Sequence, residues 1–142
     1  MNIAIVGATG NVGRKIIEVL EKKNFSIGNL YLVASSKSAG SKLKFKGKEV
    51  EVENWESFDF SKANITFFAA GGKISEKYAP LAAKHSIVID NSSHFRMDPD
   101  VPLIVPQVNS SDLNNIKKKY NCKPKLFNSS TCYSFKTFAW FI

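Results

Sequence analysis

Cysteine is scarce in this chain, with Cys122 and Cys132 the only two in 142 residues. Two thiols cannot build a disulfide framework, and both are too isolated for a zinc site. No metal centre is expected. Long apolar runs are missing as well. Hydrophobic residues make up 44% of the chain, yet no run approaches the roughly 20 residues that cross a bilayer. The start lacks the charged-then-apolar pattern of a secretory segment, since its apolar run is only Ile3 to Val6. These absences point to a cytoplasmic protein with no membrane partner and one hydrophobic core.

Acidic residues are outnumbered, 12 against 20 lysines and arginines, for a net charge of +8. That balance invites a nucleic-acid reading, but the cations are spread over loops and helix faces: Lys22-Lys23, Lys42 to Lys48, Lys117 to Lys119. Only the last group runs to three in a row, and no aromatic stacking module accompanies any of them. No nucleic-acid partner is expected; the surplus favours anionic small molecules.

What is present begins with Asn2 to Arg14. Ile3 to Val6 reads as a strand buried on both faces. Gly7, Gly10 and Gly13 follow at a spacing of three, and an amphipathic helix then runs from Gly10 to Lys23. This is the strand, turn and helix of a dinucleotide-binding unit, in a G-x-x-G-x-x-G form. Gly7 permits the turn, Gly10 lets backbone N–H groups approach a pyrophosphate, and Gly13 lets the helix pack close to the sheet.

A second strand, Leu30 to Ala34, ends in Ser35-Ser36-Lys37-Ser38-Ala39-Gly40. An acid here would bind the ribose 2′-OH of NAD. This chain has Lys37 flanked by hydroxyls, a set that suits the 2′-phosphate of NADP, though a solvated polar loop would have the same composition. Leu43 to Val52 alternates around a glycine turn and reads as a hairpin or two short edge strands. Trp55, Phe58 and Phe60 read as core aromatics at the rim.

Ile65 to Ala70 is a further buried strand, ending in Gly71-Gly72, where a ligand could approach closely. A helix from about Ser75 to His85 is expected to turn Tyr78, Leu81 and Ala82 inward. The strand Ile87 to Ile89 leads into the polar loop Asp90 to Pro102. There, Arg96 is either a clamp for an anionic substrate or an ion-pair partner of Asp98 or Asp100, and His94 is either functional or surface. Leu103 to Pro106 reads as a short strand, Asp112 to Lys119 as a helix and Tyr120 to Lys125 as a turn. The whole is an α/β chain with a Rossmann-like, doubly wound, mostly parallel sheet.

Gly7-Ala8-Thr9-Gly10-Asn11-Val12-Gly13, Ser35 to Gly40, Ala69-Ala70-Gly71-Gly72, Tyr78-Ala79-Pro80 and Asp90 to Pro102 occur in that order. With Val105-Pro106-Gln107-Val108-Asn109 after them, the chain resembles bacterial aspartate-semialdehyde dehydrogenase over about Asn2 to Asn109. The related N-acetyl-glutamyl-phosphate reductases share the logic, but Ser38-Ala39-Gly40 and Phe95 to Asp100 favour the aspartate enzyme. The resemblance implies an NADP-binding domain of an enzyme that reductively dephosphorylates aspartyl-β-phosphate to the semialdehyde. By matching position it gives Thr9, Gly10, Asn11 and Val12 to the cofactor phosphates, Lys37 and Ser38 to the 2′-phosphate and Arg96 to the substrate phosphate, and Gly7, Gly13 and Gly72 count with the cofactor-binding residues. The family usually has arginine where Lys37 stands, which softens the expected NADP preference.

The family's nucleophile is a cysteine in an Asn-Pro-Asn-Cys-Ser-Thr-Ile-Gln-like motif. Here the corresponding region reads Lys125 to Ser134, and Cys132 lacks both flanks of that motif. It is therefore expected not to be activated, and no catalytic residue is assigned. The resemblance also implies a second domain carrying the acid/base histidine and most of the homodimer interface, for which no residues remain before Ile142. The expected organisation is an NADP-binding domain over 1–125 and an atypical tail over 126–142, the product of a frame shift near Lys125. The tail aromatics Phe135, Phe138, Trp140 and Phe141 either cover part of the surface left by the missing half or add to it, and weak solubility or self-association is expected. Three functions follow: a dehydrogenase fragment with little or no turnover, a non-catalytic NADP-binding module, or an inactive relic.

Overall fold

A computed structural model of the chain describes residues 1–111. The first strand, β1 (Ile3–Val6), is fully buried, as an all-apolar run requires. Helix α1 (Asn11–Lys22) buries Gly13, Ile16, Ile17 and Leu20 and turns its charges outward. Each of the three aliphatic side chains contributes roughly 1.5–3 kcal/mol by leaving water. Then come β2 (Leu30–Ala34), β3 (Lys42–Phe45), β4 (Lys48–Asn54), β5 (Ile65–Phe68), α2 (Gly72–Ala83), β6 (Ile87–Asp90) and a short α3 (Pro106–Asn109).

The strands form one sheet in the order β3-β4-β2-β1-β5-β6. All neighbours are parallel except β3 and β4, which form the expected hairpin. Of the two hairpin strands only β3 lies at a sheet edge, and β6 ends the sheet on the other side among the described residues. Its partner β4 also pairs in parallel with β2, Leu32 opposite Val52, so β4 is an interior strand. The hairpin is tied to α1 by the Lys46 N–H, which donates to Glu21 Oε1 at 2.7 Å.

Two apolar layers cover the sheet. Ile16, Ile17 and Leu20 of α1 pack with Ile3, Ile5, Leu32, Phe45, Val52 and Phe67 on one face. Tyr78, Ala79 and Ala82 of α2 pack with Ala4, Val6, Val33, Phe68 and Val88 on the other. Phe58 and Phe60 complete this second layer with ring centroids 5.1 Å apart, edge to face, and Trp55 packs against it half-buried. This is the doubly wound architecture, with the change of winding direction between β1 and β5.

Two local expectations are corrected. Helix α2 starts at Gly72 and buries Ser75, Tyr78, Ala79, Ala82 and Ala83, whereas Leu81 is 45% exposed. At 3.6 residues per turn, Leu81 lies about 130° from the middle of that buried face. Leu103 to Pro106 is not a strand. Pro106 opens α3, and Asn109 folds back so that its Oδ1 accepts from the Val105 N–H at 2.7 Å while its Nδ2 donates to Leu103 O at 3.0 Å. Proline removes a ladder donor and suits the first helical turn. The expectations for Asp112 to Lys119, Tyr120 to Lys125, Cys122, Cys132 and the tail lie outside the described residues. No helix among the described residues is long and apolar enough to cross a membrane.

Candidate functional site

Register across the sheet places Val33, Val6, Phe68 and Asp90 in one row at the carboxyl ends of β2, β1, β5 and β6. Three strand spacings make that row about 14 Å long. All four loops that the sequence singles out leave from it. They therefore share one edge, and the winding change lies between the middle two, where doubly wound folds bind ligands.

The first loop is built by contact. Gly7 has φ +87, and a Cβ there would lie 2.7 Å from the Ala69 carbonyl carbon, so the β1 and β5 loops touch across the winding change. A Cβ on Gly13 would lie 2.2 Å from Gly7 O, so only glycine lets α1 come this close to the turn. The Gly10 N–H donates to Gly7 O at 3.0 Å and the Arg14 N–H to Gly10 O at 2.9 Å. Gly10 is the exposed N-cap, and the N–H groups of Asn11, Val12 and Gly13 in the first helical turn have no intrahelical acceptor. Those groups and the positive end of the helix favour a phosphate.

The second loop is held against the first. Thr9 Oγ1 donates to Ser38 Oγ at 3.4 Å, and Ser38 and Ala39 N–H both donate to Ser35 O. Ser41 Oγ closes the turn on Ser38 O at 2.6 Å. Lys37 is exposed at the tip, and among the described residues its ammonium has no ion pair. The Thr9–Ser38 contact thus joins the glycine turn to the loop that carries Lys37.

The third and fourth loops face each other. Gly71 is the N-cap of α2 and Gly72 its first residue, and a Cβ on Gly72 would lie 3.6 Å from His94 Cβ. His94 is exposed, its ring edge-on to Phe95 at 4.6 Å. Arg96 is half-buried in the 3₁₀ turn His94–Met97, and its Nη2 donates to Asn91 O at 3.4 Å. Its Nε and Asn91 Oδ1 are both buried without a hydrogen-bond partner. Among the described residues Arg96 forms no ion pair, so the alternative pairing with Asp98 or Asp100 is not what this turn does. No three metal-ligating side chains cluster among the described residues.

The sequence reading missed the group beneath this turn. Asp90 is 4% exposed; its Oδ1 accepts from Ser75 Oγ at 3.0 Å and the Ser92 N–H at 2.7 Å, and its Oδ2 from Ser92 Oγ at 2.7 Å. The available signal was an acid closing the apolar run Ile87-Val88-Ile89. An acid there must find donors or remain unpaid in hydrogen bonds at considerable cost.

Comparison with known proteins places this geometry. Residues 2–116 match the model of the semialdehyde dehydrogenase NAD-binding domain. Aspartate-semialdehyde dehydrogenase of Shewanella sp. (strain DB6705) is 49% identical over 119 residues, 83% of this chain and 35% of that protein. The crystal structure of aspartate semialdehyde dehydrogenase II from Vibrio cholerae, complexed with ASA, superposes with a TM-score of 0.83 at 45% identity, over 87% of this chain and 41% of that one. The Candida albicans enzyme, solved with NADP, gives 0.62 at 27% identity, over 80% and 36%. The chain thus spans little more than a third of the length of these relatives. With the glycine turn, the strand order and residues 2–116 all in agreement, the chain belongs to the semialdehyde dehydrogenase family by its NAD-binding domain.

Proposed function

We propose that residues 1–125 form the NADP-binding domain of a cytoplasmic aspartate-semialdehyde dehydrogenase, the enzyme that converts aspartyl-β-phosphate to aspartate semialdehyde in amino-acid biosynthesis. The observation that carries this reading is the shared edge: the glycine turn, the Lys37 loop, Gly72 and Arg96 leave one row of strand ends. The residues present fit the dinucleotide, since α1 offers unpartnered N–H groups at its start and glycine clears the approach.

In this reading Asn11, Val12 and Gly13 donate to the pyrophosphate through their backbone, with Gly7 and Gly10 shaping the turn and Thr9 bracing it on Ser38. Lys37 and Ser38 meet the 2′-phosphate, a nearly doubly charged group that favours a cation with hydroxyl donors. Gly72 leaves room above the β5 edge for the nicotinamide end. Bound NADP supplies the hydride chemistry. Arg96 holds the substrate phosphate, with its unpartnered Nε and remaining guanidinium N–H groups as donors. No catalytic residue is assigned within the described residues.

Titration of NADPH and NADH, followed by nicotinamide fluorescence, tests the binding half. Saturable binding with NADPH preferred supports the assignment; no saturation with either cofactor refutes it. Phosphate-dependent reduction of NADP with aspartate semialdehyde tests the reaction half. Turnover by this chain, lost on Cys132→Ser, would make it an enzyme in its own right. Binding without turnover would make it the non-catalytic module.

A further inference from the structure

Beneath the Arg96 turn, one buried carboxylate joins two loops that come from different elements. Ser75 sits in the first turn of α2, where its N–H donates to Gly71 O at 3.1 Å and its side chain is fully buried. Its Oγ crosses to Asp90 Oδ1 at 3.0 Å, at the end of β6. Asp90 in turn holds the Ser92 N–H and hydroxyl, and Ser92 Oγ accepts from the His94 N–H at 3.3 Å. The chain of bonds runs Gly71, Ser75, Asp90, Ser92, His94, and the turn it ends on carries Arg96. The Asn91 N–H on Phe68 O at 2.9 Å pins the same segment to the end of β5.

The carboxylate is spent on internal donors. Every carboxylate oxygen is satisfied without a cation among the described residues. An ionised acid bonded by hydroxyls and an amide holds geometry more tightly than neutral groups would. We propose that Asp90 is a positioning residue, clamping the start of α2 to the Arg96 turn and so fixing the spacing between the nicotinamide end of the cofactor and the phosphate of the substrate. This rests on the reading of Arg96 as the anion site. It adds a requirement: phosphate affinity depends on Ser75 and Asp90, which do not touch the phosphate.

The test titrates inorganic phosphate into the 142-residue chain at saturating NADPH, by calorimetry, for the native protein and the Ser75→Ala, Asp90→Ala, Asp90→Asn and Arg96→Ala variants. Amide hydrogen exchange at Ser75, Ser92 and His94 is measured alongside. Arg96→Ala abolishes phosphate binding if the anion reading holds. Ser75→Ala then weakens it by about fivefold to tenfold, the effect of one ordinary hydrogen bond, with NADPH affinity unchanged. Asp90→Asn, which keeps the Oδ1 acceptor, retains most of the affinity that Asp90→Ala loses. NADPH affinity stays native in Ser75→Ala and in Ser75→Ala combined with Arg96→Ala, whereas a merely structural role would lower cofactor binding in every background. Exchange at Ser92 and His94 accelerates in Ser75→Ala as well as in Asp90→Ala, although Ser75 lies on another element.

Native phosphate affinity in Ser75→Ala, against abolished binding in Arg96→Ala, overturns the clamp and leaves the anion reading standing. Phosphate binding that ignores Arg96→Ala overturns the anion reading, and the exchange rates then decide the clamp alone: unchanged exchange at Ser92 and His94 in Ser75→Ala overturns it too.

Discussion

Gly13 of α1 and Gly7 of the preceding turn approach so closely that a Cβ on Gly13 would lie 2.2 Å from the Gly7 carbonyl oxygen. The Ala8 Cα, in the same peptide unit, would lie at 2.7 Å. Both obstacles are backbone, which cannot swing aside as a side chain can. Alanine in place of helical glycine ordinarily gains about 1 kcal/mol. Here the overpacking cost of about 1–3 kcal/mol exceeds that gain. Gly13→Ala is therefore expected to lower the midpoint of urea unfolding, and an unchanged or raised midpoint would contradict the close-packing account.

Gly10 gives the complementary case. Its Cβ would meet only Gly7 O, at 3.4 Å, and the residue is exposed. Gly10→Ala is expected to cost less than about 1 kcal/mol of stability, as a weaker N-cap. Its methyl would stand before the free N–H groups of α1, so NADPH affinity should fall more than stability does. Fluorescence titration beside thermal unfolding separates the two effects.

Lys37 stands exposed with no ion pair among the described residues. Lys37→Ala is expected to weaken NADPH by about tenfold and NADH hardly at all, the size of one charge-assisted contact. Added salt should narrow the gap between the two cofactors, because the charge lies in water. Equal losses for both cofactors would remove Lys37 from the 2′-phosphate.

The outward position of Leu81 has a simple mutational consequence. Leu81→Gln is expected to shift stability by no more than about 0.5 kcal/mol, the usual range for surface changes. Ala82→Leu, one residue along and fully buried, should cost about 1–3 kcal/mol by overpacking the second layer. The reverse ranking would place Leu81 in the core.

Glu18 bridges Lys15 and Lys22 along α1, at 2.7 Å to each ammonium. Hydrogen bonds from Lys15 and then Lys22 lower its carboxyl from the usual 4.5 to about 2. A depressed folded value means the contribution is complete above about 4.5 and disappears as pH falls through about 2. The charges are exposed, so the effect on stability is small and salt-sensitive. Carbon-detected NMR titration should find the Glu18 midpoint well below the usual 4.5, and an ordinary midpoint would show that the two bridges do not persist.

Much of this fold is legible from local pattern. Ile3 to Val6 and Ile65 to Phe68 are short apolar runs ending in glycine or small residues, and both are fully buried strands. Leu81 was misplaced because the inward face of α2, Tyr78 apart, is made of Ser75, Ala79, Ala82 and Ala83, small side chains that let a helix lie close to a sheet. Leu81 faces away. The run Leu103 to Pro106 has the composition of a strand, but Pro106 and the folded-back side chain of Asn109 convert it to a helical turn.

The site divides along the same line. The glycine spacing of Gly7 to Gly13 and the Lys37 loop are readable because each is a contiguous segment whose conformation is set locally. That Thr9 meets Ser38, and that Ser75 meets Asp90, is not readable, since those partners lie 29 and 15 residues apart on different elements. The sequence alone determined the strand, glycine turn and helix, because backbone sterics and hydrophobic periodicity act within a few residues. The tertiary structure decided which loops share an edge, since strand register brings distant side chains within hydrogen-bonding reach only once the sheet is assembled.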